Sequence, residues 1–257
     1  MTTKSKKEIE KMKEGGLLLS RALQAAANAV RPGVKMKELD AIAEKVLRDG
    51  GGVPAFKGYK TRAADSPYPA TLCISKNNEV VHGIGTREDV LNEGDIVGLD
   101  IGVKYKGLYT DMATTVAVGK VSDEAKKLMT VTKEALKVGI GVVRGGGTVG
   151  EVGKAIESFV KPYGYGIVRD LVGHGVGHDV HEDPHVPNFY DPRYDKLIFK
   201  KGVTIAVEPM LTLGDWRIDT ASDGWTIVTQ DGSISAHYEV TIVVTEDGFE
   251  FITPMVG

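Results

Sequence analysis

The stretch GDIVGLDIGVKYKGLYTDMATTVAVG, residues 94–119, holds two apolar runs joined at Tyr105-Lys106-Gly107. The runs, Asp95 to Val103 and Leu108 to Val118, read as strands, and a short Gly-containing link between them suits a hairpin. The acids inside these runs set the stretch apart. Asp100 stands in Val97-Gly98-Leu99-Asp100-Ile101-Gly102, and Asp111 in Leu108-Tyr109-Thr110-Asp111-Met112-Ala113. A carboxylate among apolar strand residues is costly to bury unless something compensates it. A hairpin brings the two acids within reach of each other, where like charges repel and push one pKa upward unless a cation sits between them. A divalent metal removes the conflict. Pairing with Lys104 or Lys106 at a sheet edge does so too, and these two residues alone leave both readings open.

Further along the chain the same feature recurs. Glu208 ends the apolar run Ile205-Ala206-Val207, and Glu239 lies inside Ala236-His237-Tyr238-Glu239-Val240-Thr241-Ile242-Val243-Val244. Carboxylates mixed with imidazoles suit a divalent first-row metal better than a structural zinc, and bridging carboxylates suit a two-metal site. The chain has only six histidines, and four of them fall between His174 and His185. His174, His178 and His181 are spaced as on one helix face, but Gly173, Gly175 and Gly177 argue for extended backbone. His181-Glu182-Asp183-Pro184 then reads as a loop, and His82 stands at the end of the strand Glu79-Val80-Val81. The lone Cys73 lies between Leu72 and Ile74 in a strand pattern, so it reads as core or pocket wall and not as a nucleophile. It excludes an internal disulfide framework. No phosphate-binding GxxxxGK[ST] loop and no GxSxG elbow is present.

The rest of the chain frames these segments. Its 257 residues carry 32 Lys+Arg against 35 Asp+Glu, a net charge of −3 that gives no general basic footprint for nucleic acid or an anionic membrane. The N-terminus has no apolar segment of a secretory signal, and no apolar run reaches the roughly 18–20 residues that span a bilayer. A capping box at Ser5 to Glu8 opens a helix with Ile9, Met12, Leu19, Leu23, Ala26 and Val30 on one face, ended at Pro32-Gly33. A second helix covers about 35–48, and an irregular stretch about 53–70. Strands are expected at Leu72 to Ser75 and Val80 to His82. Helix, helix and strands then recur: Ser122 to about Val143, a helix opened by the box Thr148 to Glu151, and strands at Thr204 to Val207, Trp225 to Thr229 and Ser235 to Val244. At an offset of 113, Arg31, Gly33, Glu38, Glu44 and Gly51 meet Arg144, Gly146, Glu151, Glu157 and Gly164. Either two helix-loop-helix segments coincide, or an α+β unit is duplicated and a site at the junction draws on both halves.

With these residues in hand, the chain resembles the type I methionine aminopeptidases of the pita-bread metallopeptidase family. The resemblance runs through CISKNNEVVHGIG (73–85), the hairpin 94–119, GHGVGHDVHEDPHVPN (173–188), VTIAVEPML (203–211), DGWTI (223–227) and SAHYEVTIVVTEDG (235–248). It implies an α+β pita-bread fold, in which two pseudo-symmetric halves share a central antiparallel β-sheet flanked by helices. Residues 1–257 would form a single catalytic domain with approximate halves 1–120 and 121–257. Asp100, Asp111, His174, Glu208 and Glu239 would hold two divalent ions (Co, Mn, Fe or Zn). Asp111 and Glu239 would bridge, with Asp100 on one ion and His174 and Glu208 on the other. His82, His181 and Glu208 would be catalytic. Phe56, Tyr59, Tyr68, Cys73 and Trp225 would line a methionine pocket.

The family often carries Gln two residues before the last ligand and His directly after it. Here His237 and Val240 stand there. The resemblance leaves both outside the ligand set, with an altered metal preference or rate as the expected consequence, and it gives His178 no role. The implied activity is removal of an initiator methionine before a small second residue. The substrate would be the N-terminus of a nascent polypeptide, the ribosome being one place of encounter. The enzyme is expected to be a cytoplasmic monomer without membrane or specific nucleic-acid partners. The rivals are an Xaa-Pro aminopeptidase or prolidase, which normally carries a further N-terminal domain, and a non-catalytic binding protein of the same fold, which would be expected to lose ligands.

Overall fold

A computed structural model describes residues 1–60 and 66–256, so residues 61–65 of the expected irregular stretch lie outside the described residues. In chain order the elements are α1 Lys6–Ala29, α2 Met36–Asp49, β1 Val53–Pro54, β2 Leu72–Lys76, β3 Glu79–Val81, β4 Ile96–Tyr105, β5 Leu108–Ala117, α3 Asp123–Gly141 and α4 Val149–Val160. Then follow β6 Gly166–Ile167, β7 Gly173–Gly175, β8 Glu182–Val186, β9 Thr204–Val207, β10 Met210–Thr212, β11 Ile218–Thr220, β12 Ile227–Thr229, β13 Ser235–His237, β14 Glu239–Val244 and β15 Phe249–Phe251. Both expected capping boxes form: Ser5 with Glu8 on α1, and Thr148 with Glu151 on α4.

A mixed-length antiparallel sheet organises the molecule. Its central path is β4-β5-β14-β9, with β2 and β1 on the outer edge of β4 and β7 then β8 beyond β9. The order β2-β4-β5 on one side of the β5–β14 junction is mirrored by β7-β9-β14 on the other. Each side has its own helix pair. Leu19, Leu23, Leu39 and Leu47 of α1 and α2 pack with Leu72, Leu99 and Ile101, whereas Leu128, Leu136, Val152 and Ile156 of α3 and α4 pack with Ile205, Val207 and Ile242. Removing these side chains from water is what fixes both helix pairs to the sheet.

The repeat survives at the level of single hydrogen bonds, the Gly33 and Gly146 corners standing 113 residues apart and their partners Leu91 and Phe199 standing 108 apart. Gly33 N–H donates to the Leu91 carbonyl at 2.8 Å and Gly146 N–H to Phe199 at 3.0 Å. Leu91 N–H returns to Val34, and Phe199 N–H to Gly147. Lys35 bridges Val90, and Thr148 bridges Ile198. Gly33 and Gly146 share a left-handed φ of +86° and +78°, the conformation that favours Gly at such corners. Unrelated helix-loop-helix segments have no reason to repeat these long-range backbone bonds, so a duplicated unit is the better account.

Three expectations change. Ser235 to Val244 is two strands, not one: Tyr238 breaks the run where the chain leaves a small sheet with β10 and β6 and enters the main one. Its hydroxyl donates to the Thr115 carbonyl at 3.0 Å, anchoring the crossing. His181-Glu182-Asp183-Pro184, expected as loop, runs instead into β8, Glu182–Val186, with Pro184 tolerated on an edge strand. His82 lies just past β3 in left-handed backbone, φ +60°. Among the described residues, no helix is long and apolar enough to cross a membrane.

Candidate metal and peptidase site

The registers of the sheet assemble the acids. In antiparallel strands, residues directly opposite share a face, and so do residues two apart along a strand. Cys73 is opposite Asp100, Asp100 opposite Ala113, and Ala113 opposite Glu239. Asp111 is two residues from Ala113 and therefore on the same face. Val240 is opposite Val207, so continuing that register sets Glu239 against Glu208, one residue past β9. His174 is opposite Ala206, two residues before Glu208. One face of six strands thus presents Cys73, Asp100, Asp111, Glu239, Glu208 and His174, with the small Ala113 side chain in the middle.

These side chains are buried. Asp100, Asp111, His174 and Glu239 are each less than a tenth exposed. Ligating atoms of Asp111, His174 and Glu239 lie within 4.8 Å of one another, as do those of Glu208, His237 and Glu239. His174 Nε2 stands 3.5 Å from Glu208 Oε1. Burial pushes the Asp100 carboxyl up to about 7. It raises Asp111, Glu208 and Glu239 well above the carboxylate range, with the negative charge of their neighbours adding to the effect. Burial also holds the His174 and His237 imidazoles down to about 3 and His82 to about 4, so these rings are neutral and keep a lone pair to donate.

The lysines do not resolve the conflict between the acids. Lys104 lies over the Tyr109 ring, 4.9 Å from its centroid, and Lys106 is bonded to Glu14. Among the described residues, Asp100 Oδ1, Glu239 Oε1 and His237 Nε2 are buried without a hydrogen-bond partner. Orphaned oxygens and a nitrogen converging on one face form a donor set that fits divalent cations of the first row.

The acids form the floor of a cavity of about 640 Å³, walled by Phe56, Tyr59, Tyr68, Cys73, His82, His181 and Trp225. Tyr68 and Trp225 meet edge to face at 5.2 Å between ring centroids, and they pack with Ala70, Cys73, Phe56 and Tyr59. The Tyr68 hydroxyl is held by the Gly83 carbonyl at 2.7 Å and Trp225 Nε1 by that of Ser66 at 3.2 Å, so the polar ends of both rings are used up and the apolar faces front the cavity. Burial pushes the Cys73 thiol well up, followed by the charge of Asp100, and it stays a neutral wall group. At the other end, the His181 ring is edge-on to His174 at 4.5 Å, and its Nδ1 is 3.0 Å from the Tyr59 hydroxyl.

All the residues to which the resemblance gives a ligand, catalytic or pocket role border one cavity. His178 does not: its Nε2 is bonded to Glu8 of α1 at 2.8 Å. Two features were not foreseen. One is the Tyr59–His181 bond. The other is the approach of His237 to Glu208 and Glu239 at 3.8 and 3.9 Å. The spacing of His237 two before Glu239 was a visible signal for a shared face; the bond between residues 122 apart had none.

Fold and site together define a metallopeptidase. The model of metallopeptidase family M24 matches residues 10–246, and the chain belongs to that family. A methionine aminopeptidase of Clostridium acetobutylicum is 41% identical over 251 residues, covering 97% of each chain. The crystal structure of a methionine aminopeptidase from Thermotoga maritima superposes with a TM-score of 0.94 at 40% identity, covering 99% of this chain and 100% of that one. The X-Pro aminopeptidase of Thermotoga maritima, at 23% identity and a TM-score of 0.76, shares the fold, and the chain covers 62% of it.

Proposed function

We propose that this chain is a methionyl aminopeptidase that removes the initiator methionine of polypeptides whose second residue is small, as a dinuclear metallo-exopeptidase. The observation that carries the reading is the row of buried donors on one sheet face, opening into an apolar, aromatic-walled cavity. Asp100, Asp111, His174, Glu208 and Glu239 would hold two divalent ions. When bound, the ions supply polarisation of the scissile carbonyl and activation of water at neutral pH.

The remaining chemistry belongs to the chain. Cys73, Tyr68, Phe56, Tyr59 and Trp225 enclose an unbranched apolar side chain and exclude water from it. The Tyr59 hydroxyl donates to His181 Nδ1, which leaves the proton of the neutral ring on Nε2, ready to donate to the carbonyl oxygen as charge develops there. Glu208, its carboxyl raised by burial, accepts a proton from the attacking water and passes it to the leaving amine. His82, which also lines the cavity, hydrogen-bonds the substrate near the scissile peptide.

The same reading makes the chain a single domain with two halves, working in the cytoplasm as a monomer on nascent N-termini, without membrane or nucleic-acid partners. A peptide panel tests it. Met-Ala-Ser should be cleaved and Met-Leu-Ser not, under Co²⁺, Mn²⁺, Fe²⁺ and Zn²⁺ in turn. Equal turnover of both peptides would remove the initiator-methionine reading.

A further inference from the structure

His237 ends β13 and is 3% exposed. Its main chain is clamped on both sides by Thr115: His237 N–H donates to Thr115 Oγ1 at 3.0 Å, and Thr115 Oγ1 donates to the His237 carbonyl at 2.7 Å. The imidazole is therefore delivered to a fixed place, yet its Nε2 is sealed from solvent and has no hydrogen-bond partner among the described residues. The nitrogen stands 3.8 Å from Glu208 Oε2 and 3.9 Å from Glu239 Oε2. Both separations are too long for a hydrogen bond. They suit two donors that share one cation, because metal–nitrogen and metal–oxygen bonds of about 2.0–2.2 Å allow ligand atoms up to about 4.4 Å apart. Glu208 also has its other oxygen, Oε1, 3.5 Å from His174 Nε2. Its carboxylate is thus flanked by an imidazole on each oxygen.

We propose that His237 is a metal ligand, and that it joins Glu208 and Glu239 in holding one ion, adding a second imidazole to the one His174 supplies. This rests on the metallopeptidase reading of the site. A set with two imidazoles binds nitrogen-seeking ions such as Co²⁺ and Zn²⁺ in preference to the oxygen-seeking Mn²⁺. The chain should therefore discriminate between Co²⁺ and Mn²⁺ through this one side chain.

The test uses the full chain stripped of metal and titrated calorimetrically with Co²⁺ and with Mn²⁺, as wild type and as His237→Gln. The variant should weaken the first Co²⁺ by at least about 10–100-fold, the loss that removing even an outer-sphere partner of a ligand brings. Mn²⁺ affinity should change much less. Pulsed electron paramagnetic resonance on wild type carrying one equivalent of Cu²⁺ should show two coordinated imidazoles, and one in His237→Gln. Equal Co²⁺ affinity in the two proteins, or a single imidazole in wild type, overturns the proposal. The wild-type spectrum decides the matter even if the variant fails to fold. A wild type that cleaves Met-Ala-Ser but shows one imidazole overturns only the ligand assignment. One that shows two imidazoles and cleaves no peptide supports the ligand and overturns the peptidase reading.

Discussion

Replacing Glu182 by Gln should cost this protein about 3 kcal/mol, although the residue is neither in a helix nor in the apolar core. Glu182 accepts from Lys4 Nζ at 2.6 Å, and the two side chains are 8% and 1% exposed. It also accepts from the Thr2 hydroxyl and from the backbone N–H groups of His178 and Asp179. Burial pushes its carboxyl up, but the hydrogen bonds from Lys4 and Thr2 outweigh that and hold it at about 2, against an ordinary 4.5. That difference is worth about 3 kcal/mol at neutral pH, and breaking a buried ion pair costs about 3–5 kcal/mol by independent measure.

For a domain of this size the loss lowers Tm by about 6–12 °C. Because the folded pKa is depressed, the contribution is fully present above the unfolded value of 4.5 and is lost as pH falls through about 2. The wild-type and Glu182→Gln melting curves should therefore run apart above pH 5 and converge as pH falls toward 2. Calorimetric or circular-dichroism melts across this range measure it. The double change Lys4→Met with Glu182→Gln should recover most of the loss, because no uncompensated buried cation is left. A Tm within about 2 °C of wild type for the single variant at pH 7 would refute the reasoning.

Asp111→Ala should abolish metal loading and peptide cleavage while leaving the circular-dichroism spectrum and folding transition largely intact; full activity in that variant would sink the ligand assignment. Tyr59→Phe should lower kcat by roughly 2–10-fold with less change in KM, since one neutral hydrogen bond to His181 is worth about 0.5–1.5 kcal/mol; steady-state kinetics on Met-Ala-Ser read it. Gly16→Ala should destabilise by about 1–3 kcal/mol, because a methyl there would sit 2.0 Å from the Ile252 carbonyl oxygen, a backbone atom with little freedom to move. Denaturant titration checks it, with activity per folded molecule unchanged.

Several parts of this molecule could be read one residue at a time. The hairpin of β4 and β5 follows from β-branched runs about a Gly turn, and both capping boxes formed where Ser/Thr and Glu stood three apart. The anomaly of acids inside apolar strands marked Asp100, Asp111, Glu208 and Glu239, because such a carboxylate is tolerated only where something binds it. Short elements were less legible. β6, β10 and β15 are two or three residues long, and their pairing comes from distant partners more than from their own pattern. The break at Tyr238 was hidden because the residues on both sides are equally good strand formers, and only the competing sheets separate them.

The sequence by itself determined which residue types were available for chemistry and the two helix pairs with their strands, whereas the internal repeat it suggested was decided by the matching long-range backbone bonds at Gly33 and Gly146. Local propensity, capping and periodicity act over a few residues and are written there. Only the tertiary structure decided that Asp100, Ala113, Glu239 and Glu208 fall in one row, because register is set by the packing of whole sheet faces against two helix pairs. It also decided the fate of the histidines. His178, within the densest cluster, turns away to α1 and Glu8. His237, at the end of a strand that pairs with β10, is carried by Thr115 to within reach of Glu208 and Glu239. Distance along the chain does not contain that information, because burial and pairing energies act between segments that only the fold brings together.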